Sequence, residues 1–338
     1  MRRLGSIFMP YAKRQMDRVR KSGKRMVHYT SAENLFNIID SQTMWLRNTN
    51  CMDDYSEVQH GYSLLLQFFQ EGTNRTDFCA ALDSCHAGLG QGSLALFDQW
   101  WLNIRFNTYI CSISEHHDKE DMHGRLSMWR AFGQQSQARA AMVMRVPPQG
   151  SGEALRLILS PVAYFGYDQV RAQILRVMRN VGSNLKFLQS LPTDTVKTMV
   201  FYMLVSAAVS LKHEGFLEEK EWRIIYLPQA NHSVLIEKAD VVIRGVPQTV
   251  YKVPLREDPP NGVVGVGIST LIERIIIGPT VYGVPMYSTF VESLRKEGVA
   301  NPETRVVVRA FQSDHKEIDQ APQSPSPLLV SSVIEPQS

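Results

Sequence analysis

The stretch "MVHYTSAENLFNIIDSQTMWLRN", Met26 to Asn48, decides how the chain is read. Val27 to Tyr29 predicts a short strand, and Thr30 with Glu33 has the capping-box spacing, which predicts Thr30 as N-cap and Glu33 at N3. Ala32, Leu35, Ile38 and Ile39 then recur at helical spacing, and Met44 to Leu46 resumes a strand. Strand, helix and strand in so short a span is mixed α/β grammar. His28 is left open by that reading. An imidazole two residues ahead of the predicted N-cap is either a core histidine bonded to backbone or the first fixed contact of a ligand site.

Outward from this stretch the same grammar continues. Strands are predicted at Asn107–Ile113, Met142–Val146, Glu221–Leu227, Arg274–Ile277 and Arg305–Ala310. Helices are predicted at Gly61–Gln70 and Tyr287–Lys296, with two long ones at Asp168–Leu191 and Thr193–Lys212 broken at Pro192. Ala87–Ser93 reads as loop. Beyond Gln312 the chain is rich in proline and serine without periodicity and is expected to be disordered. Strands with helices between and beside them favour one α+β domain over 24–311, carrying a helical insertion at 168–212. A basic helical segment (1–23) precedes the domain and the 312–338 tail follows it.

The 338 residues are 44% hydrophobic and 20% charged, enough to bury a large core. A formal net charge of +3 is too small to argue for nucleic-acid or membrane binding. The basic N-terminus, including Arg14, Arg18, Arg20 and Lys21, reads first as a solvated helix face and second as a phosphate or lipid contact. Cys51, Cys79, Cys85 and Cys111 fall at no zinc-finger spacing and are too few to staple the chain, so they read as reduced thiols of a cytoplasmic protein. No signal peptide is read. The most apolar helical run, Met199–Leu211, has about thirteen residues where a span needs roughly twenty, so no membrane partner is expected.

Three further stretches could carry chemistry. In "GFLEEKEWRIIYLP", Gly215–Pro228, alternation puts Glu219, Glu221 and Arg223 on one strand face if the strand reaches back that far, with Trp222, Ile224 and Tyr226 on the other. Two carboxylates at that spacing disfavour joint ionisation, which either a ligand or Arg223 would relieve. Trp129-Arg130 offers a ring for stacking and a guanidinium for phosphate, although Trp129 also fits a core position. His116, His117, Asp118, Asp121 and His123 read as a mobile polar loop rather than a metal site. Asp53, Asp54 and Glu57 suit capping of the next helix better than a cation. No GxGxxG, P-loop, GxSxG or HExxH motif occurs.

His28-Tyr29-Thr30, Met44-Trp45-Leu46, Met128-Trp129-Arg130, Phe216…Glu219-Lys220-Glu221-Trp222-Arg223 and the closing Ile275-Ile276-Ile277-Gly278-Pro279 together resemble a poorly characterised bacterial family with "HYTS…L.I…G.LWL", "NDxxE", "F.S.S…MW..Y" and "F..E.EWR". The resemblance covers roughly Lys24 to Phe311. Asp53 stands where that family's acidic motif usually begins with Asn, and Phe132 where an aromatic hydroxyl is common. More distantly, the pattern is similar to the ADP-ribosyltransferase fold, a split mixed β-sheet core with flanking helices.

That second resemblance implies NAD as substrate and no metal. It implies His28, Tyr29 and Thr30, with Trp129 and Arg130, at the dinucleotide, His28 as a rigid donor there, and Tyr29 or Trp129 stacked on nicotinamide. Glu221 becomes the catalytic carboxylate and Glu219 the group that prepares the acceptor. It implies an enzyme modifying a protein or nucleic acid, in the manner of a bacterial toxin or antiphage effector with a regulatory or antitoxin partner. The alternatives are a non-catalytic nucleotide-sensing or interaction module of the same fold, and a metal-dependent nuclease using Asp53, Asp54 and Glu57.

Overall fold

The computed structural model describes residues 2–52, 56–131 and 137–308. The expectations for Asp53, Asp54, Phe132 and the 312–338 tail lie outside the described residues. The strands are β1 (Arg25–Ser31), β2 (Thr43–Asn48), β3 (Tyr109–His116), β4 (Arg139–Met144), β5 (Ile158–Pro161), β6 (Ala163–Tyr164), β7 (Leu211–Lys212), β8 (Glu221–Tyr226), β9 (Glu237–Ile243), β10 (Val246–Pro254), β11 (Ile272–Ile277) and β12 (Val306–Val308). Among the described residues they form a mixed, largely antiparallel sheet in the order β12-β11-β4-β1-β3-β2-β10-β9, with β8 against β3 and β5 against β8. A separate parallel pair joins β6 to β7. The chain is thus α+β, as its sequence predicts.

β3 holds the sheet together. One of its edges pairs with β8 from Tyr109↔Tyr226 to Ser114↔Glu221. The other edge is shared: β2 takes Tyr109 and Ile110, and β1 takes Ser114 to His116. Between them, Cys111 to Ile113 face neither strand, and the sheet is split at that point.

Alternation along the strands sorts the side chains into two faces. Val27 and Tyr29 of β1, Ala141 and Val143 of β4 and Ile276 of β11 lie on the first face under the helix Leu126–Ala131. Farther along that face, Ile110 and Ile225 meet the helices Ser56–Gln70, Leu89–Phe106, Tyr167–Ser183 and Thr193–Val209. The second face carries Met26, Cys111, Ile113, Met142, Trp222 and Tyr226 against the helices Ala32–Ser41 and Gly283–Lys296.

Several boundaries differ from expectation. The cap of the helix after β1 is Ser31, whose hydroxyl accepts from the Asn34 amide at 3.1 Å, because β1 runs on through Thr30 in register with Ala140. The helical layer is larger than 168–212. Leu89–Phe106 is helix although it begins within a stretch read as loop, and its small residues serve close packing. A Cβ at Gly90 would lie 2.4 Å from the Cys79 Cα of the helix Asn74–Asp83. The expected 168–191 helix breaks at Asn184. The basic N-terminus is two helices, Arg2–Phe8 and Pro10–Lys21, docked through buried Leu4, Ile7, Phe8 and Val19 rather than solvated all round.

Gly61 sets the approach of Ser56–Gln70 to Thr193–Val209, since a Cβ there would stand 2.4 Å from the Ala208 carbonyl oxygen. Gly61→Ala is therefore expected to lose about 1–3 kcal/mol in a urea titration, the usual cost of overpacking, despite alanine's better helix propensity. An unchanged midpoint would show that the two helices separate freely.

Candidate functional site

Ser112 stands in the stretch of β3 whose second edge neither β1 nor β2 covers, and both of its oxygens are engaged. The carbonyl lies 3.0 Å from His28 Nδ1. The hydroxyl donates to Glu221 Oε1 at 2.6 Å. A carbonyl only accepts, so Nδ1 carries the imidazole proton and Nε2 is left as an acceptor. His28 thus offers an acceptor, not the donor that the fold resemblance implies. Burial holds the His28 pKa below 6.5, outweighing the carbonyl contact that favours the cation. The Cys111 thiol, 3.7 Å from the same nitrogen, is pushed up to about 12 by burial and by the Glu221 charge, so it is no nucleophile.

Glu221 begins β8 and is 6% exposed. Its Oε1 also accepts from Arg223 Nε at 2.9 Å, and its Oε2 lies 3.4 Å from Lys212 Nζ. Lys212 in turn pairs with Glu219 and with Glu57, each at 2.8 Å. Arg223 pairs with Glu57 and donates to the Val209 carbonyl. The Tyr164 hydroxyl accepts the Glu221 amide at 2.8 Å. Three carboxylates therefore converge on two cations, Lys212 and Arg223, from three separate parts of the chain: Glu57, Lys212 and the 219–223 stretch.

Burial raises the Glu221 pKa, but Arg223, Lys212 and the Ser112 hydroxyl outweigh it and hold the carboxyl below its ordinary range. Glu219 moves the other way. Burial raises it most, Lys212 opposes, and the charges of Glu221 and Glu57 add to the rise. One surplus negative charge in a poorly hydrated cluster falls on its most accessible member.

The two glutamates do not meet by strand alternation. Glu219 ends the 3-10 turn Glu214–Glu219, and Lys220 adopts φ +47°, which swings the chain so that β8 starts only at Glu221. Arg125 fastens this turn, its buried guanidinium donating to the Glu218 and Glu219 carbonyls at 2.9 Å and to the Glu115 carbonyl at 2.8 Å. Glu120 balances it at 3.0 Å.

Other expected site residues lie elsewhere. Tyr29 and Trp129 pack edge to face with centroids 4.9 Å apart. The Tyr29 hydroxyl accepts the Arg125 amide, and Trp129 Nε1 donates to the His123 carbonyl. Trp129 is 2% exposed, with Gly124 and Gly278 against its ring, so neither ring offers a face for stacking. Arg130 is exposed, and Thr30 accepts from the Asn34 side chain. Alternation sends His28 to the face of Met26 and Cys111, and Glu221 to the face of Ser112. The pair lies on opposite faces of the sheet and is linked through Ser112.

The run from His116 to His123 comprises the end of β3, a 3-10 turn over Asp118–Glu120 and several ion pairs. His116 is buried 2.8 Å from Asp121, which with Asp118 also pairs with Arg25. Among the described residues no group of three potential ligands is arranged to hold a metal ion, and no helix is long and apolar enough to cross a membrane. Glu57, read from the sequence as a cap, belongs to the ion cluster. Ser112, Lys212, Tyr164 and Arg125 escaped the sequence reading; a lysine ending an apolar helical run was the one visible signal.

No protein-family model, curated protein or solved structure matches the chain.

Removing one partner of a buried pair leaves an uncompensated charge, so Arg223→Met should lose about 3–5 kcal/mol of stability. Adding Glu221→Leu to it should restore part of that loss, which a double-mutant cycle in urea measures. The pH dependence has two parts. Glu221, held low, contributes stability present above the ordinary carboxylate pKa of 4.5 and lost as pH falls through its folded value. His28, also held low, is protonated first in the unfolded chain, so stability declines as pH falls below 6.5. His28→Gln should flatten that upper part of the decline and leave the acid limb in place.

Proposed function

We propose that the chain is an NAD-dependent ADP-ribosyltransferase-like enzyme acting on a macromolecular acceptor. The observation that carries this reading is the pair Glu219 and Glu221, gathered on one ammonium yet driven in opposite directions of protonation. Two titratable groups set apart by their surroundings mark an acid–base division of labour. Breaking the bond between nicotinamide and ribose develops positive charge on the sugar, and a carboxylate held ionised stabilises that charge. Glu221 has that property, and Ser112 fixes its orientation. Glu219, more accessible and more basic, suits removal of a proton from the attacking group. His28 acts here through the Ser112 carbonyl as a positioning residue. A toxin or antiphage role, with a partner that restrains it, is in keeping with this chemistry.

A second reading is favoured by a specific observation. Both Glu221 oxygens are occupied and the carboxylate is almost closed to solvent, as in a structural core. On that reading the chain is a non-catalytic nucleotide-sensing or interaction module. The nuclease reading has less behind it, because Glu57 is committed to Lys212 and Arg223.

Nicotinamide release from NAD by the full chain, with cell lysate as acceptor, separates the first two. The enzyme reading expects release by the wild type, a drop of at least 100-fold in a folded Glu221→Gln variant, and a loss of transfer to acceptor in Glu219→Gln. Absence of release by a folded wild type, with NAD binding still seen by calorimetry, would leave the sensing module standing.

A further inference from the structure

On the second face of the sheet, away from Glu221, lies a cavity of about 780 Å³. The helix Pro10–Lys21 and the 147–159 segment border it, and Met26, Met44 and Met144 from three strands form part of its floor. Met9, Met16 and Met199 add to its walls. The size falls within the ~300–1,000 Å³ usual for small-molecule sites. Methionine side chains are unbranched and flexible, so such a wall adapts to an apolar body of variable shape.

The polar groups of this cavity differ in how they are engaged. Lys13 pairs with Asp17, Arg20 donates to Gln149, and Arg145 pairs with Glu273. Arg156, an exposed residue, is the exception: among the described residues no ion pair or side-chain hydrogen bond holds its guanidinium, and its charge acts on the Tyr202 phenol. Ser206 also lines the cavity, and its hydroxyl is buried with no hydrogen-bond partner among the described residues. A buried hydroxyl without a partner is costly unless something else satisfies it.

Arg156 occupies an unusual backbone position. It follows the C-cap of the helix Gln149–Ala154 with φ +59°, where glycine or asparagine is the ordinary residue.

We propose that this cavity binds an amphiphile with one extended apolar body and one anionic head, a medium- or long-chain carboxylate, with Arg156 and Tyr202 holding the head and the methionine-lined space holding the body. The site is independent of the NAD reading and lies on the other face of the sheet.

The full chain is titrated by calorimetry with laurate, below its micelle-forming concentration, and with dodecanol, which has the same chain and no charge. One laurate per chain is expected, at least tenfold tighter than dodecanol. Arg156→Gly removes the guanidinium and relieves the left-handed backbone, so it should keep or raise the melting temperature while weakening laurate at least tenfold and leaving dodecanol unchanged. Leu157→Trp, which fills the cavity, should abolish both. Equal binding of acid and alcohol, or laurate binding that survives Arg156→Gly, would overturn the anchor. Absence of binding by the folded wild type, or binding unaffected by Leu157→Trp, would overturn the site.

Discussion

Three strands hydrogen-bond to β3, and β1 and β2 must share one of its edges. Much of the local arrangement follows from that constraint. Because neither strand covers Cys111 to Ile113, the Ser112 carbonyl is free of the ladder and an imidazole can approach it. A buried carbonyl needs a donor, and β1 supplies one by carrying His28 at the point of divergence. The uninterrupted pairing on the other edge sets Ser112 beside Arg223 and Ser114 beside Glu221, so the first strand of the ion cluster is fixed by backbone geometry before any charge is counted.

Charge then completes what the strands begin. Glu57 comes from a helix start, Lys212 from a two-residue strand after an apolar helix, and Glu219 from a turn fastened by Arg125. A buried carboxylate such as Glu221 would be neutral in isolation; two cations keep it ionised. The arrangement is closed where a structural core would be closed and polarised where a catalytic pair would be polarised, and both functional readings grow from that double character.

Much of the sheet was legible in the sequence because buried strands such as β1, with MVHYT, and β11, with IERIII, announce themselves through apolar runs. The hairpin β9–β10 was not. β9 lies at an edge with most side chains half or fully exposed, so nothing demands apolar alternation. Its turn places Arg244 and Gly245 at positive φ in place of the more familiar Asn-Gly. Within the site, Glu221 and Arg223 were legible as a same-face pair on a strand. Ser112 carried no motif, and Lys212 showed only as the end of the predicted 193–212 helix, whereas that helix stops at Val209 and Lys212 lies in β7. Trp129 followed the ordinary preference of a large aromatic for the interior.

The ion cluster also shapes how this sequence can diverge. Its members are spread from Glu57 to Arg223, yet every side chain but Glu219, which is held by Lys212 alone among these pairs, meets at least two of the others. Energetic coupling among groups in one network makes their substitutions non-additive. Single replacements at these positions strand a charge, whereas paired replacements of a carboxylate and a cation leave the balance intact. Among descendants of this chain, glutamates and cations far apart in sequence should therefore be kept together or exchanged together, a signature of shared ancestry that spacing between motifs does not reveal.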